Sequence, residues 1–93
     1  MDLLELRREI DHLDEELVSL FCQRMEIAAR VADYKKENNL PIHHPGREQE
    51  VLEKVGALAG PEWEDYTKKL YVKIFELSKA YQKTAMIVVD RET

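Results

Sequence analysis

The chain is poor in the residues that interrupt or cross-link a fold: one cysteine, three glycines and three prolines among 93 residues. The lone thiol, Cys22, cannot close an internal disulfide and has no second cysteine for a zinc pair, which excludes a disulfide-stapled scaffold and a zinc finger. His43 and His44 are adjacent and His12 is far back, with no H-x-x-x-H or H-E-x-x-H run, so no metal site is expected, nor any other cofactor. No apolar run approaches the roughly 20 residues that span a bilayer. The amino terminus reads as an acidic helix rather than a basic, hydrophobic leader, so a cytoplasmic protein is expected. Positive charge is short as well. A net charge of -5, with acidic residues spread along the chain, argues against a nucleic-acid surface or an anionic membrane as partner. Any basic site must therefore be local.

What remains is Leu, Glu, Lys and Ala in helical spacing, and the reading is an all-α chain forming one domain over residues 1–93. Three helices are predicted: long, short, long. The first covers about residues 2–38, a stretch with no Pro or Gly. Leu3, Leu6, Ile10, Leu13, Leu17, Leu20, Ile27, Val31 and Tyr34 recur there at alternating steps of three and four, and a charge, Arg24, fills one slot of the series. Such a helix is on the order of 55 Å long, whereas a compact globule of this length has a radius of gyration of about 12 Å. One protomer cannot cover that seam, so a partner is expected.

The segment Asn38 to Gly46 breaks the pattern with Pro41, Pro45 and Gly46. Pro45 suits the first position of a second helix, about residues 45–58, which makes His44 its N-cap although histidine is not a preferred cap. Gly60-Pro61 marks the next turn, and a third helix is predicted over about residues 61–85. Trp63, Leu70, Ile74, Leu77 and Tyr81 form one stripe of it, while Tyr71 and Phe75 lead into Ser78 and Gln82 on the neighbouring one. The tail Met86-Ile87-Val88-Val89 is open between a last helical turn and an extended end.

Polar residues in apolar places carry the functional signal. A guanidinium at Arg24, in the leucine seam, needs either an internal ion pair, with Glu48 or Glu76, or an anionic ligand. Lys35 follows it by 11 residues, about 1100° of helix rotation, which returns it to within about 20° of the same direction. Both cations can line one long pocket. Arg7, 17 residues before Arg24, is turned away by roughly 100° and lies about 25 Å along the axis. It cannot share a small ligand with Arg24 of its own helix, but in an antiparallel or crossed dimer a second copy's Arg7 can. Arg47 and Glu48 open the second helix, where free backbone N–H groups favour an anion. Ser78 and Gln82 share one face of the third and add neutral donors. Together these residues form donors and one carboxylate around a compact polyanion, with no dedicated nucleophile. The acidic Glu9, Asp11, Asp14, Glu15 and Glu16 read as a solvated helix face, and Trp63, Tyr66, Tyr71 and Tyr81 as core and interface aromatics.

Several stretches, Leu3-Leu4-Glu5-Leu6-Arg7-Arg8-Glu9-Ile10-Asp11, Arg24, Tyr34-Lys35, Pro45-Gly46-Arg47-Glu48 and Leu77-Ser78-Lys79-Ala80-Tyr81-Gln82, resemble the all-helical chorismate mutase family over roughly residues 2–83. The likeness is greatest to the mutase domain that bacteria fuse to prephenate dehydratase, so a fused or associated dehydratase is a possible partner. The resemblance implies three helices intertwined with those of a second copy in a homodimer, with two equivalent sites, each receiving Arg7 from the other chain. It further implies that Arg7 and Arg24 bind the two carboxylates of chorismate, helped by Arg47 and Ser78. Lys35 and Gln82 approach the ether oxygen, and Glu48 accepts from the ring hydroxyl. The implied reaction is the [3,3]-sigmatropic rearrangement of chorismate to prephenate, which needs neither proton transfer nor a covalent intermediate.

One position departs from that pattern. Where the family commonly has Asp three residues before the helix-two Arg, as both a cap and a second partner of the hydroxyl, this chain has His44, so that part of substrate binding rests on a different side chain. Two alternatives stand beside the mutase. An isochorismate-pyruvate lyase shares the fold and the basic residues, although such lyases tend to lack the Glu48 carboxylate. A non-catalytic helical domain that dimerises or regulates a partner enzyme would use the same polar set as interface pairs.

Overall fold

The computed structural model describes the backbone of residues 2–92 and the side chains of residues 2–84. Three α-helices make up the fold: α1 (Leu3–Glu37), α2 (Pro45–Ala59) and α3 (Glu64–Glu92). Among the described residues there is no strand. The apolar tail Met86–Val89 falls within the bounds of α3, and its side chains lie outside the described residues.

Local chemistry sets each boundary. Asp2 caps α1 by accepting from the Glu5 backbone N–H at 2.9 Å, and Lys35 and Lys36 face the negative end of the helix dipole in the last turn. The helix stops at a Schellman turn. Asn39 takes a left-handed φ of 56°, the Leu40 N–H donates to the Lys35 carbonyl at 2.8 Å and the Asn39 N–H to that of Lys36 at 3.3 Å. Pro45 holds the first position of α2, and His44 does act as its cap, its Nδ1 accepting from the Arg47 N–H at 2.9 Å. An imidazole nitrogen thus replaces the short oxygen side chain usually found there.

Gly60, with φ of 85°, ends α2. The next residues form a turn, with the Trp63 N–H donating to the Gly60 carbonyl at 3.2 Å, so α3 begins at Glu64 rather than at Pro61. Within α2, the buried Gly56 allows a close approach: a Cβ there would lie 2.7 Å from Lys68 Cε and 3.0 Å from Glu64 Cγ. Across that contact Glu64 pairs with Lys68 at 3.0 Å and holds its ammonium protonated to a higher pH than usual.

The helix α3 joins the other two. It runs antiparallel to α2, with Lys68 beside Gly56 and Lys79 beside Glu48. Against α1 it runs parallel, with Ser78 beside Met25 and Gln82 beside Ala28. Only the second half of α1 takes part. The resulting body measures 57 × 29 × 15 Å with a radius of gyration of 16.8 Å, against about 12 Å for a compact chain of this length. A thickness of 15 Å is little more than one helix with its side chains. A sheet of helices that thin has no deep interior. Among the described residues the buried apolar side chains are Ala32, Val55 and Phe75, and the buried polar ones are Ser78 and Gln82.

Candidate active site

The second half of α1, the first turns of α2 and the middle of α3 enclose a cleft of about 320 Å³, at the small end of the range for ligand pockets. Ile27, Ala28, Val31, Ile42, Val51 and Phe75 form its apolar wall. Arg24, Lys35, His44, Arg47, Glu48, Ser78, Lys79 and Gln82 supply the polar groups.

Arg24 and Lys35 line the same cleft, as their shared direction on the helix predicts. Arg24 makes no ion pair among the described residues. The two carboxylates suggested by the sequence pair elsewhere, Glu48 with Lys79 and Glu76 with Lys73. Its guanidinium instead lies 5.5 Å from the centre of the Tyr71 ring and 5.7 Å from that of Phe75. Such cation–π contacts stabilise a charge without neutralising it. Lys35 Nζ donates to the Ile42 carbonyl at 2.9 Å, tying the end of α1 to the connection that follows.

Helix α3 contributes the neutral donors. Gln82 Nε2 donates to the Ala28 carbonyl at 3.0 Å, and Ser78 Oγ donates to Met25 Sδ at 3.4 Å. The Ser78 hydroxyl thus bonds a thioether rather than a general base, which is not the arrangement of an activated nucleophile. On α2, Glu48 sits in the first turn, where the helix dipole favours a carboxylate. Arg47 lines the cleft while its guanidinium pairs with Glu50 at 3.3 Å. His44 contributes through its cap on the Arg47 N–H.

Seven of the eight residues singled out from the sequence thus converge on one cleft. Arg7 does not: it is exposed, in the part of α1 that projects beyond α2 and α3. The sequence reading missed Lys79, whose Nζ lies 3.1 Å and 3.4 Å from the two Glu48 oxygens and 3.2 Å from His43 Nδ1. The signal was present, since Phe75, Ser78, Lys79 and Gln82 follow the i, i+3, i+4, i+7 spacing of one helix face. With Lys79 the cleft gathers four cations around one carboxylate, in a chain of net charge -5. Among the described residues no three His, Cys, Asp or Glu side chains approach closely enough to hold a metal ion, and no helix is long and apolar enough to cross a membrane.

Four cations, one carboxylate and, among the described residues, no activated nucleophile give this three-helix chain a cleft whose donors suit a compact polyanion. The chain belongs to the chorismate mutase type II family, whose model matches residues 6–83. The chorismate mutase of Methanocaldococcus jannaschii is 31% identical over 85 residues, covering 87% of this chain and 84% of that protein. The bifunctional chorismate mutase/prephenate dehydratase of Aquifex aeolicus is 48% identical over 54 residues, which is 58% of this chain and 15% of that enzyme's length. Among solved structures, chorismate mutase form II from Thermus thermophilus superposes with a TM-score of 0.82 at 28% identity, covering 87% of this chain and 93% of that one.

Proposed function

We propose that the cleft converts chorismate to prephenate, in a site completed by the Arg7 of a second copy of the chain. The observation that carries this reading is the convergence of Arg24, Lys35, Arg47, Glu48, Ser78 and Gln82, drawn from three helices, on one cleft. In the rearrangement a carbon–oxygen bond of the ether breaks as a carbon–carbon bond forms, within one molecule and with no proton moved. Arg24 and the partner's Arg7 hold the two carboxylates, aided by Arg47 and Ser78, and so keep the enolpyruvyl arm folded over the ring. Lys35 and Gln82 meet the ether oxygen, where negative charge grows as the bond stretches, and Glu48 accepts from the ring hydroxyl. His44 supports the hydroxyl side indirectly, by capping the turn that carries Arg47 and Glu48.

Homodimerisation is part of the proposal. Leu3, Leu6, Ile10, Leu13, Leu17 and Leu20 are each between 42% and 62% exposed, a contiguous apolar stripe of the kind that marks an interface. In an intertwined dimer the stripe is covered, and α1 carries Arg7 toward the partner's cleft. The setting proposed is cytoplasmic, in keeping with the free, exposed thiol of Cys22. The bifunctional relatives pair the mutase with a prephenate dehydratase, and a fused or associated dehydratase that consumes the product fits this chain equally well.

The test is the loss of chorismate absorbance with prephenate as product. Lys35→Ala is expected to lower kcat by about 10² to 10³, the usual effect of removing a group that stabilises charge in the transition state. A wild-type protein with no turnover above the uncatalysed background would overturn the assignment.

A further inference from the structure

The cation that the proposed reaction does not use is Lys79. It lies in the cleft one residue from Ser78 and three from Gln82, on the face of α3 that carries both. Its ammonium has three N–H donors, and three acceptors lie within hydrogen-bond distance: Glu48 Oε1 at 3.1 Å, Glu48 Oε2 at 3.4 Å and His43 Nδ1 at 3.2 Å. Its charge is paired with the Glu48 carboxylate, whereas Arg24 has no ion pair among the described residues, so Lys79 does not duplicate Arg24. The Glu48 carboxylate keeps acceptor capacity, because two oxygens offer about four lone-pair directions.

We propose that Lys79 is a positioning residue, which fixes the Glu48 carboxylate at the cleft wall as the acceptor for the substrate's ring hydroxyl. The proposal rests on the mutase reading above. Two features support it besides the distances. The pair bridges α2 and α3, so it fixes the carboxylate relative to the helix that carries Ser78 and Gln82. It is also shielded: the Lys79 and Glu48 side chains are 30% and 23% exposed, whereas the Arg47–Glu50 pair on the outer side is 69% exposed at both ends. A half-buried pair loses less to solvent screening than a surface one. His43, on the connection before α2, accepts from the same ammonium in the tautomer that protonates Nε2.

The test is a double-mutant cycle in the mutase assay with Lys79→Met, Glu48→Gln and the double variant, plus Lys79→Arg. Met retains the aliphatic stem and removes the charge; Arg retains charge and reach. Lys79→Met is expected to lower kcat/KM roughly tenfold, as for loss of a charge-assisted hydrogen bond, and Lys79→Arg to recover most of it. In the Glu48→Gln background Lys79→Met should change kcat/KM by less than about twofold, the non-additivity of residues acting as a unit. Chorismate methylated on the ring hydroxyl should show the same indifference to Lys79→Met.

Equal losses from Lys79→Met with and without Glu48, or no loss at all, would overturn the positioning role while wild-type turnover still stood. A loss that Lys79→Arg does not recover, in a variant with wild-type circular dichroism, would overturn it too. Absence of turnover in the wild type would instead remove the mutase reading on which the proposal rests.

Discussion

The two halves of α1 share one heptad pattern and differ in what packs beside it. Every residue from Asp2 to Leu20 is exposed, Leu and Ile included. From Arg24 to Lys35 the same helix packs on α3, buries Ala32 and lines the cleft. Periodicity therefore specifies which face of a helix is to be covered and leaves open what covers it. In the second half α3 of the same chain covers the flank that carries Met25, Ala28 and Ala32, while the seam residues Ile27, Val31 and Tyr34 stay 54%, 44% and 61% exposed. For the seam itself the proposed cover is a second chain, a reading that also gives a role to Arg7, far from the protomer's own cleft.

A charge in the exposed half should have the largest effect on this contrast. Leu17 is 58% exposed in the protomer, so Leu17→Glu leaves the α1–α3 contacts intact while placing a carboxylate in the proposed interface. Sedimentation is expected to show a monomer with helical circular dichroism, and mutase activity to fall by about 10² or more, the scale of losing a charged partner of a bound carboxylate. A Leu17→Glu protein that remains dimeric and active would break the comparison, because the exposed half would then have no interface role.

Subunit mixing sharpens it further. Arg7→Ala and Lys35→Ala are each expected to be nearly inactive. In their heterodimer one site joins an intact Lys35 to the partner's intact Arg7, and the other site carries both lesions. Random exchange makes about half of the dimers mixed, so activity should return to about a quarter of the wild-type level in an isologous dimer. Exchange demonstrated by mass spectrometry with no recovered activity would show that Arg7 acts within its own chain or not at all.

The smallest effect concerns the boundary of the packed half. His44→Ala removes the acceptor for the Arg47 N–H and should lower stability by about 1 kcal/mol, or a melting midpoint about 4–8 °C lower for a domain of this size. His44→Asp should restore the midpoint at the same protein concentration, since a carboxylate caps the same N–H and suits the helix dipole.

Much of this was legible in the sequence because the signals were local or periodic. Pro45 and Gly60 mark helix ends by their own chemistry, and the alignment of Arg24 with Lys35 needs only the helical repeat. Polar residues in helical register already suggested Arg47, Glu48, Ser78 and Gln82 as companions of Arg24 and Lys35, and the resemblance added the role expected of each. What escaped depended on which long side chain reaches which partner. Glu48 is a reasonable partner for Arg24 on charge alone, but antiparallel packing of α2 on α3 gives it to Lys79. Pro61 is a natural helix start, but the Trp63 N–H bonds back to the Gly60 carbonyl and delays α3 to Glu64. The left-handed Asn39 that closes α1 likewise depends on backbone geometry, which its position between Asn38 and Leu40 only suggests.

The hydrogen bonds of Lys35 and Gln82 to the carbonyls of Ile42 and Ala28 fix both donors before any ligand arrives. Each bond takes one N–H, and an ammonium has three and a side-chain amide two, so both groups are held in place and keep a donor for an incoming oxygen. An uncharged ether oxygen is a weak acceptor and gains little from such a donor. An oxygen that has begun to accumulate negative charge gains much more, since charge on the acceptor strengthens the bond from either donor. In the proposed reaction these pre-positioned donors would hold the ether oxygen weakly in the ground state and strongly as the bond breaks, which is the form of discrimination that raises kcat rather than merely lowering KM.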